Sequence, residues 1–120
     1  MKEGEDGLPE IGATSRYLGV RPGTDIRVLY TGSVSPGQEG MSVSPSPPNN
    51  LPVHRRPPKL GGTGKDPVFE MDTDNLPEEL QYQPDPANPN THGFIIPAYT
   101  MMFEHYQRAI HESRVLWRLV

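Results

Sequence analysis

Three side chains stand where a small domain can use them for chemistry: Ser42 in GMSVSP, Glu70 in PVFEMD and His92 in NTHGF. Ser42 alternates with Met41 and Val43, so its hydroxyl belongs to the polar side of a short strand. There it faces water, or reaches a cleft if the sheet splits beside it. Glu70 follows a glycine turn on another strand-like run, as surface charge or as a general base. His92 stands between a Pro/Asn-rich stretch and the apolar run Phe94-Ile95-Ile96. It either lines a cleft or joins loop to strand through a ring hydrogen bond.

Other residue patterns exclude chemistry. GGTGK, ending at Lys65, lacks the first glycine of a phosphate loop, since Lys59 stands there. Asp66 replaces the required Ser or Thr, and Pro67 blocks an immediate helix, so a glycine-rich turn before a strand is expected. His54, His92, His105 and His111 do not make a metal site by spacing: His105 and His111 fall on different faces of a helix, not at the i, i+4 spacing of a zinc pair. The absence of cysteine removes disulfides, thiolate zinc sites and thiol nucleophiles.

The elements that must position these groups are short. The chain has 120 residues, 33% of them hydrophobic, with 15 prolines and 12 glycines, enough for one economical core rich in loops. A balance of 11 basic against 15 acidic residues, net -4, without single-sign runs, argues against binding driven by nucleic-acid phosphates. The polar start MKEGEDGLPE lacks a signal peptide's apolar segment and no window approaches a membrane span, so a soluble, cytoplasmic protein, or one delivered by another route, is the default expectation.

Residues 1–15 read as a flexible tail and residues 16–120 as the domain. Asp25–Tyr30 alternates as a strand would. GMSVSP is a second strand, ended by Pro45. Residues 45–64 form a Pro-rich loop, expected as polyproline II lying across a surface. Pro67–Asp72 is a third strand. TDNLPEEL reads as a turn capped by Asp74 or Asn75, with Pro77 just inside. QYQPDPANPN is an extended or turn-rich connector to the Phe94–Ile96 run. A long amphipathic helix is expected from an N-cap at Thr100. Met102, Tyr106, Ala109, Ser113, Leu116 and Val120 lie along one side, and Phe103, Ile110 and Trp117 widen the stripe.

Taken together, EGMSVSP, LGGTGKDPVFEMDTDNLPEEL and DPANPNTHGFIIPAYTMMFEHYQRAIHESRVLW resemble an ADP-ribosyltransferase-like toxin family. That family is named for the second exported effector of a bacterial type VI secretion system. The insert PSPPNNLPVHRRPP is similar to its fungal branch, and the resemblance runs from about Leu18 to Val120. It implies an α+β fold of split small β-sheets with a C-terminal amphipathic helix and an NAD-binding cleft between the sheets. NAD would be the substrate: its nicotinamide–ribose bond breaks and ADP-ribose passes to an acceptor or to water. A carboxylate suits that step because departing nicotinamide leaves an oxocarbenium-like ribose.

By the same resemblance Ser42 matches the family's strand serine, which holds the nicotinamide-ribose half. His92 matches a recurring histidine before the final strand, and Glu70 is the candidate for the catalytic glutamate. Folds of this kind begin with a strand supplying an Arg or His that grips the dinucleotide. Here only Arg16 approaches that role, and the N-terminal part of the fold is apparently missing. Three functions follow as expectations: an NAD-using toxin domain with a protein acceptor and an immunity-type partner; a truncated, inactive relative that binds a protein; or a module presenting prolines to aromatic grooves.

Overall fold

Apolar alternation is brief everywhere before residue 98, and the strands are correspondingly brief. Residues 1–14 and 16–120 are described in a computed structural model of the chain. The strands are β1 (Ser33–Val34), β2 (Met41–Val43), β3 (Phe69–Glu70), β4 (Leu80–Pro84), β5 (Gly93–Pro97), β6 (Met101–Met102) and β7 (Arg118–Leu119). The helix α1 spans Phe103–Glu112 and continues as a 3-10 turn at Ser113–Leu116. Among the described residues the strands form three small antiparallel sheets, in the orders β2-β5-β4, β1-β6 and β3-β7. The architecture is thus a small α+β arrangement of antiparallel sheets with one 14-residue C-terminal helix.

β5 is central because both of its edges are used. Ile95 faces Met41 on one side and Tyr82 on the other. The sequence FIIP reads as a fully buried strand, and Ile95, Ile96 and Pro97 are all buried. Leu18, Val20, Ile26, Val34, Met41, Phe69, Leu80, Tyr106, Ile110 and Trp117 join Ile95 in one core cluster. Nearly every segment contributes one or two side chains to it, as an economical core demands.

α1 is fastened to the sheet by a tyrosine. The buried Tyr106 hydroxyl donates to Ile95 O at 2.6 Å and accepts from Met41 N–H at 3.2 Å. It therefore stands between two backbone groups that would otherwise pair across the β2–β5 seam. Gly40 makes room for it: its φ is +153°, and a Cβ there would lie 2.5 Å from Ile95 O and 2.9 Å from the Tyr106 hydroxyl.

Several expectations are corrected. The segment expected as a flexible tail is hydrogen-bonded into the globule over its described residues: Glu10 N–H donates to Lys2 O, Lys2 N–H to Arg16 O and Leu18 N–H to Glu10 O. Arg114 from the helix end reaches Pro9 O at 2.6 Å and also binds Asp6, and His111 contacts Gly12 O. Ser15, the last residue of that expected tail, lies outside the described residues.

Asp25–Tyr30 is not a strand. Pro22 and Ile26 form one isolated bridge around a tight turn closed by Arg21 and Asp25. The Pro-rich loop is not polyproline II either. It folds into three 3-10 turns, Pro48–Asn50, Val53–Arg55 and Pro58–Leu60. Asn50 Nδ2 donates to Pro45 O, Ser46 O and Asn90 O, while Arg56 donates to Leu51 O and Leu60 O. These side chains satisfy carbonyls that proline-rich backbone leaves unpaired, and they close the loop on itself.

The cap of the TDNLPEEL turn is Asp72, whose carboxylate accepts from Asp74 N–H. The expected connector after it begins as strand β4. Thr100 does not cap α1: Met102 occupies that position without a side-chain bond, and Thr100 instead bonds Ser35. Among the described residues no helix is long and apolar enough to cross a membrane.

Candidate functional site

Two neighbouring runs of backbone wall a cavity of about 670 Å³. One is Met41–Ser46, comprising β2 and its continuation. The other is Val68–Thr73, comprising β3 and its continuation. In each run every consecutive residue lines the space. The cross-strand row Met41, Ile95 and Tyr82, and Val68 with Val120, line it as well, so sheet faces and edges both border the space. The cavity is a slot between the sheets β2-β5-β4 and β3-β7.

Hydrogen bonds just outside the strands fix which backbone groups β2 and β3 turn away from their own sheets. Asp85 N–H donates to His92 O and Ala98 N–H to Glu79 O. Antiparallel ladders alternate, so the bonded pairs between β4 and β5 include Gln83 with Phe94 and Gln81 with Ile96. Gly93 and Ile95 therefore turn their polar groups toward β2, onto Val43 and Met41. Ser42 and Ser44 are left with N–H and C=O on the free edge.

The same logic applies across the slot. Val120 N–H donates to Val68 O, which makes Val68 and Glu70 the residues bonded toward β7 and directs Phe69 and Met71 toward the opposite edge.

Of the residues expected from sequence, Ser42, Glu70 and His92 all line this slot. Ser42 is exposed on β2, opposite Phe94 in register. Glu70 is oriented by its cross-strand neighbour, with Arg118 Nε donating to Glu70 Oε1 at 3.1 Å.

His92 is gripped more tightly. Its Nδ1 lies 2.8 Å from Asp85 Oδ2, and its ring meets Phe94 edge-on with centroids 4.8 Å apart. The bonds from His92 and then from Ala87 N–H hold the Asp85 carboxyl below its ordinary range. An ionised carboxylate only accepts, so Nδ1 carries the proton and donates. Nε2 is then the ring nitrogen without a partner among the described residues.

Arg16 is elsewhere. Its guanidinium donates to Asp66 at 2.9 and 3.2 Å, beside a second cavity of about 50 Å³ that it shares with His54, Arg55 and Lys65. Arg21 and Arg55 both line the slot, and the Arg21 guanidinium is bound to Asp25 at 2.9 Å.

Sequence reasoning missed Asp85, Arg21 and Tyr82. The Tyr82 hydroxyl is buried, has no partner among the described residues, and belongs to a slot-lining side chain packed over Gly93. A signal for Asp85 existed: an Asp that opens an Asx turn, with a histidine just before the next strand, is placed to face it across a hairpin.

His54, His105 and His111 are dispersed, and among the described residues no group of three or more His, Asp or Glu could hold a metal ion. No protein family, curated protein or solved structure was found to match the chain.

Proposed function

We propose that the chain is an ADP-ribosyltransferase-like toxin domain that takes NAD in the slot between its two small sheets and acts inside a target cell. The observation that carries this reading is the convergence of Ser42, Glu70 and His92, from three separate segments, on one slot. Its volume of about 670 Å³ lies within the range of small-molecule sites. The finer fold assignment, split sheets of the ADP-ribosyltransferase kind, belongs to the same proposal.

The chemistry suits the groups present. A primary carboxamide offers one acceptor and two donors, complementary to the edge N–H and C=O of Ser42. The Tyr82 hydroxyl supplies a further hydrogen-bonding group in a buried setting where an unmet one is costly. When the bond from ribose C1′ to the nicotinamide nitrogen breaks, its electron pair leaves with neutral nicotinamide. The positive charge on the ribose faces the Glu70 carboxylate. The acceptor attacks C1′, and His92 Nε2 is the free base within the slot for the acceptor's proton.

A second reading, an inactive relative that binds a protein, draws on the position of Arg16. The residue expected to grip the dinucleotide is tied to Asp66, away from the slot. Titration calorimetry with NAD separates the two. Saturable binding that Ser42→Ala and Tyr82→Phe each weaken supports the enzyme reading, and no heat from a cooperatively folded chain removes it.

A further inference from the structure

We propose that Ser44, His92 and Asp85 form a nucleophile, a base and an orienting carboxylate in one row across the sheet β2-β5-β4, able to cleave small carboxylic esters. The inference stands on strand register and does not draw on NAD. The β2–β5 ladder ends with Val43 opposite Gly93, and the β4–β5 ladder ends with Pro84 opposite the same Gly93. One residue further along, Ser44 and Asp85 therefore flank His92 from its two sides. Both flanks are held beyond the ladders. Asp85 N–H donates to His92 O at 3.0 Å. Asn50 Nδ2 ties Ser46 O to Asn90 O, at 3.1 Å from each, two positions past Ser44 and His92. Residues opposed in this way share a face, with Cβ atoms about 4.5–5.5 Å apart.

The row places its groups in a useful order. Asp85 Oδ2 accepts from His92 Nδ1 at 2.8 Å, which leaves the Nε2 lone pair to take a proton on the far side of the ring. Ser44 and His92 line the same cavity, and the Ser44 hydroxyl has no hydrogen bond among the described residues, so it can turn onto Nε2. The His92 side chain keeps 33% of its surface exposed, within reach of a substrate.

Ester cleavage then proceeds in two halves. Nε2 takes the hydroxyl proton as Ser44 Oγ bonds to the ester carbonyl carbon, whose π pair moves onto oxygen. That pair returns as the bond to the alcohol oxygen breaks, and the leaving oxygen takes the proton from Nε2. Water repeats the sequence on acyl-Ser44, releasing a carboxylic acid and restoring the hydroxyl. The amides of His92 and Asp85 are already bonded, so the Ser44 N–H, turned away from its own sheet, is the oxyanion donor of the row. One such donor suits activated esters and not amides. Val43, Pro47 and Leu51 make the cavity lining apolar in part, so a short uncharged acyl group fits.

The test uses the purified chain without NAD. Turnover is followed with p-nitrophenyl acetate, and a fluorophosphonate label is mapped by mass spectrometry. The label is expected on Ser44 and not on Ser42, and Ser44→Ala and His92→Ala should each slow turnover about a hundredfold or more. Asp85 acts only through His92, so Asp85→Asn should slow labelling in step with the fraction of His92 that leaves the Nδ1–H form, read by nitrogen-15 NMR of the ring. A merely structural carboxylate would not produce that relation. Ser44→Cys gives this cysteine-free chain a single thiol. Its alkylation by iodoacetamide at neutral pH should fall at least about fivefold when His92→Gln is added. The proposal is overturned by a folded chain that takes no label, by label elsewhere, or by a thiol indifferent to His92. Turnover that survives Ser44→Ala equally overturns it, since the imidazole alone would then be the catalyst.

Discussion

Tyr106→Phe removes a single oxygen, yet that oxygen joins three elements. It donates to Ile95 O at 2.6 Å and accepts from Met41 N–H at 3.2 Å, with the residue wholly buried. Phenylalanine keeps the ring and its packing, so the loss is polar. Two bonds disappear and two backbone groups are stranded where water has little access. At about 0.5–1.5 kcal/mol per bond, and up to about 3 kcal/mol for an orphaned buried group, the change should destabilise by about 2–4 kcal/mol. A chain of this size has about 5–15 kcal/mol in total, so the shift is large.

Urea unfolding of the parent and Tyr106→Phe should give parallel transitions with unchanged slope and a lowered midpoint. Amide exchange at Met41 should accelerate in the variant. A loss below about 0.5 kcal/mol would refute the reasoning, because β2 and β5 must then close the seam with a direct N–H to O=C bond. The same hydroxyl sets an alkaline limit. Burial raises its pKa above the ordinary value, so folding favours the protonated phenol; stability is complete below the unfolded value near 10 and falls as pH rises beyond it. Tyr106→Phe should flatten that alkaline decline.

Gly40→Ala places a methyl against Ile95 O and the Tyr106 hydroxyl at a φ unfavourable to side chains, and should destabilise by about 2–4 kcal/mol in the same urea assay. Asp85→Asn removes the ionised acceptor at His92 Nδ1. Nitrogen-15 NMR of the ring should show the neutral form shifting from Nδ1–H toward a tautomer mixture. Because the Asp85 carboxyl is held low in the folded chain, its contribution is present above the unfolded carboxylate value and is lost as pH falls through the lowered one; acid titration should show Asp85→Asn insensitive to that step. Arg56→Ala opens the Pro-rich loop by freeing Leu51 O and Leu60 O, at a cost of about 1–3 kcal/mol, with limited proteolysis cutting first within residues 51–60. Arg118→Ala should change stability by less than about 1 kcal/mol, since its pair with Glu70 is exposed.

The parts of the fold legible in the sequence are those with an uninterrupted local pattern. β2 shows as Met41 and Val43 around Ser42, β5 as the apolar run after His92, and α1 as a stripe containing Tyr106, Ala109 and Ile110. The helix ends earlier than its stripe suggests because Trp117 turns back to place Arg118–Leu119 beside β3. That pairing spans too much sequence for periodicity to register it. Asp25–Tyr30 alternates like a strand yet finds no ladder partner beyond one bridge, since Ile26 serves the core from a turn, Val28 packs beside it, and Leu29 and Tyr30 stay exposed.

The site was legible in its residue types but not in its construction. Ser42, Glu70 and His92 stand out individually, whereas the slot is assembled from segments far apart in the chain, Met41–Ser46 and Val68–Thr73 with Tyr82 and His92. That property belongs to sheet topology, and composition does not encode it. Arg16 shows the converse: a residue chosen by chain position is drawn to Asp66, fifty residues away, by an ion pair that no local pattern announces.

The most direct test of the central claim is titration of NAD into the purified chain with amide shifts read residue by residue. Saturable one-to-one binding that moves Ser42, Phe69 and the His92 ring, while leaving Arg16 and Lys65 unmoved, is the predicted result. Shifts confined to the basic cavity around Arg16, or none from a folded chain at millimolar NAD, would contradict it.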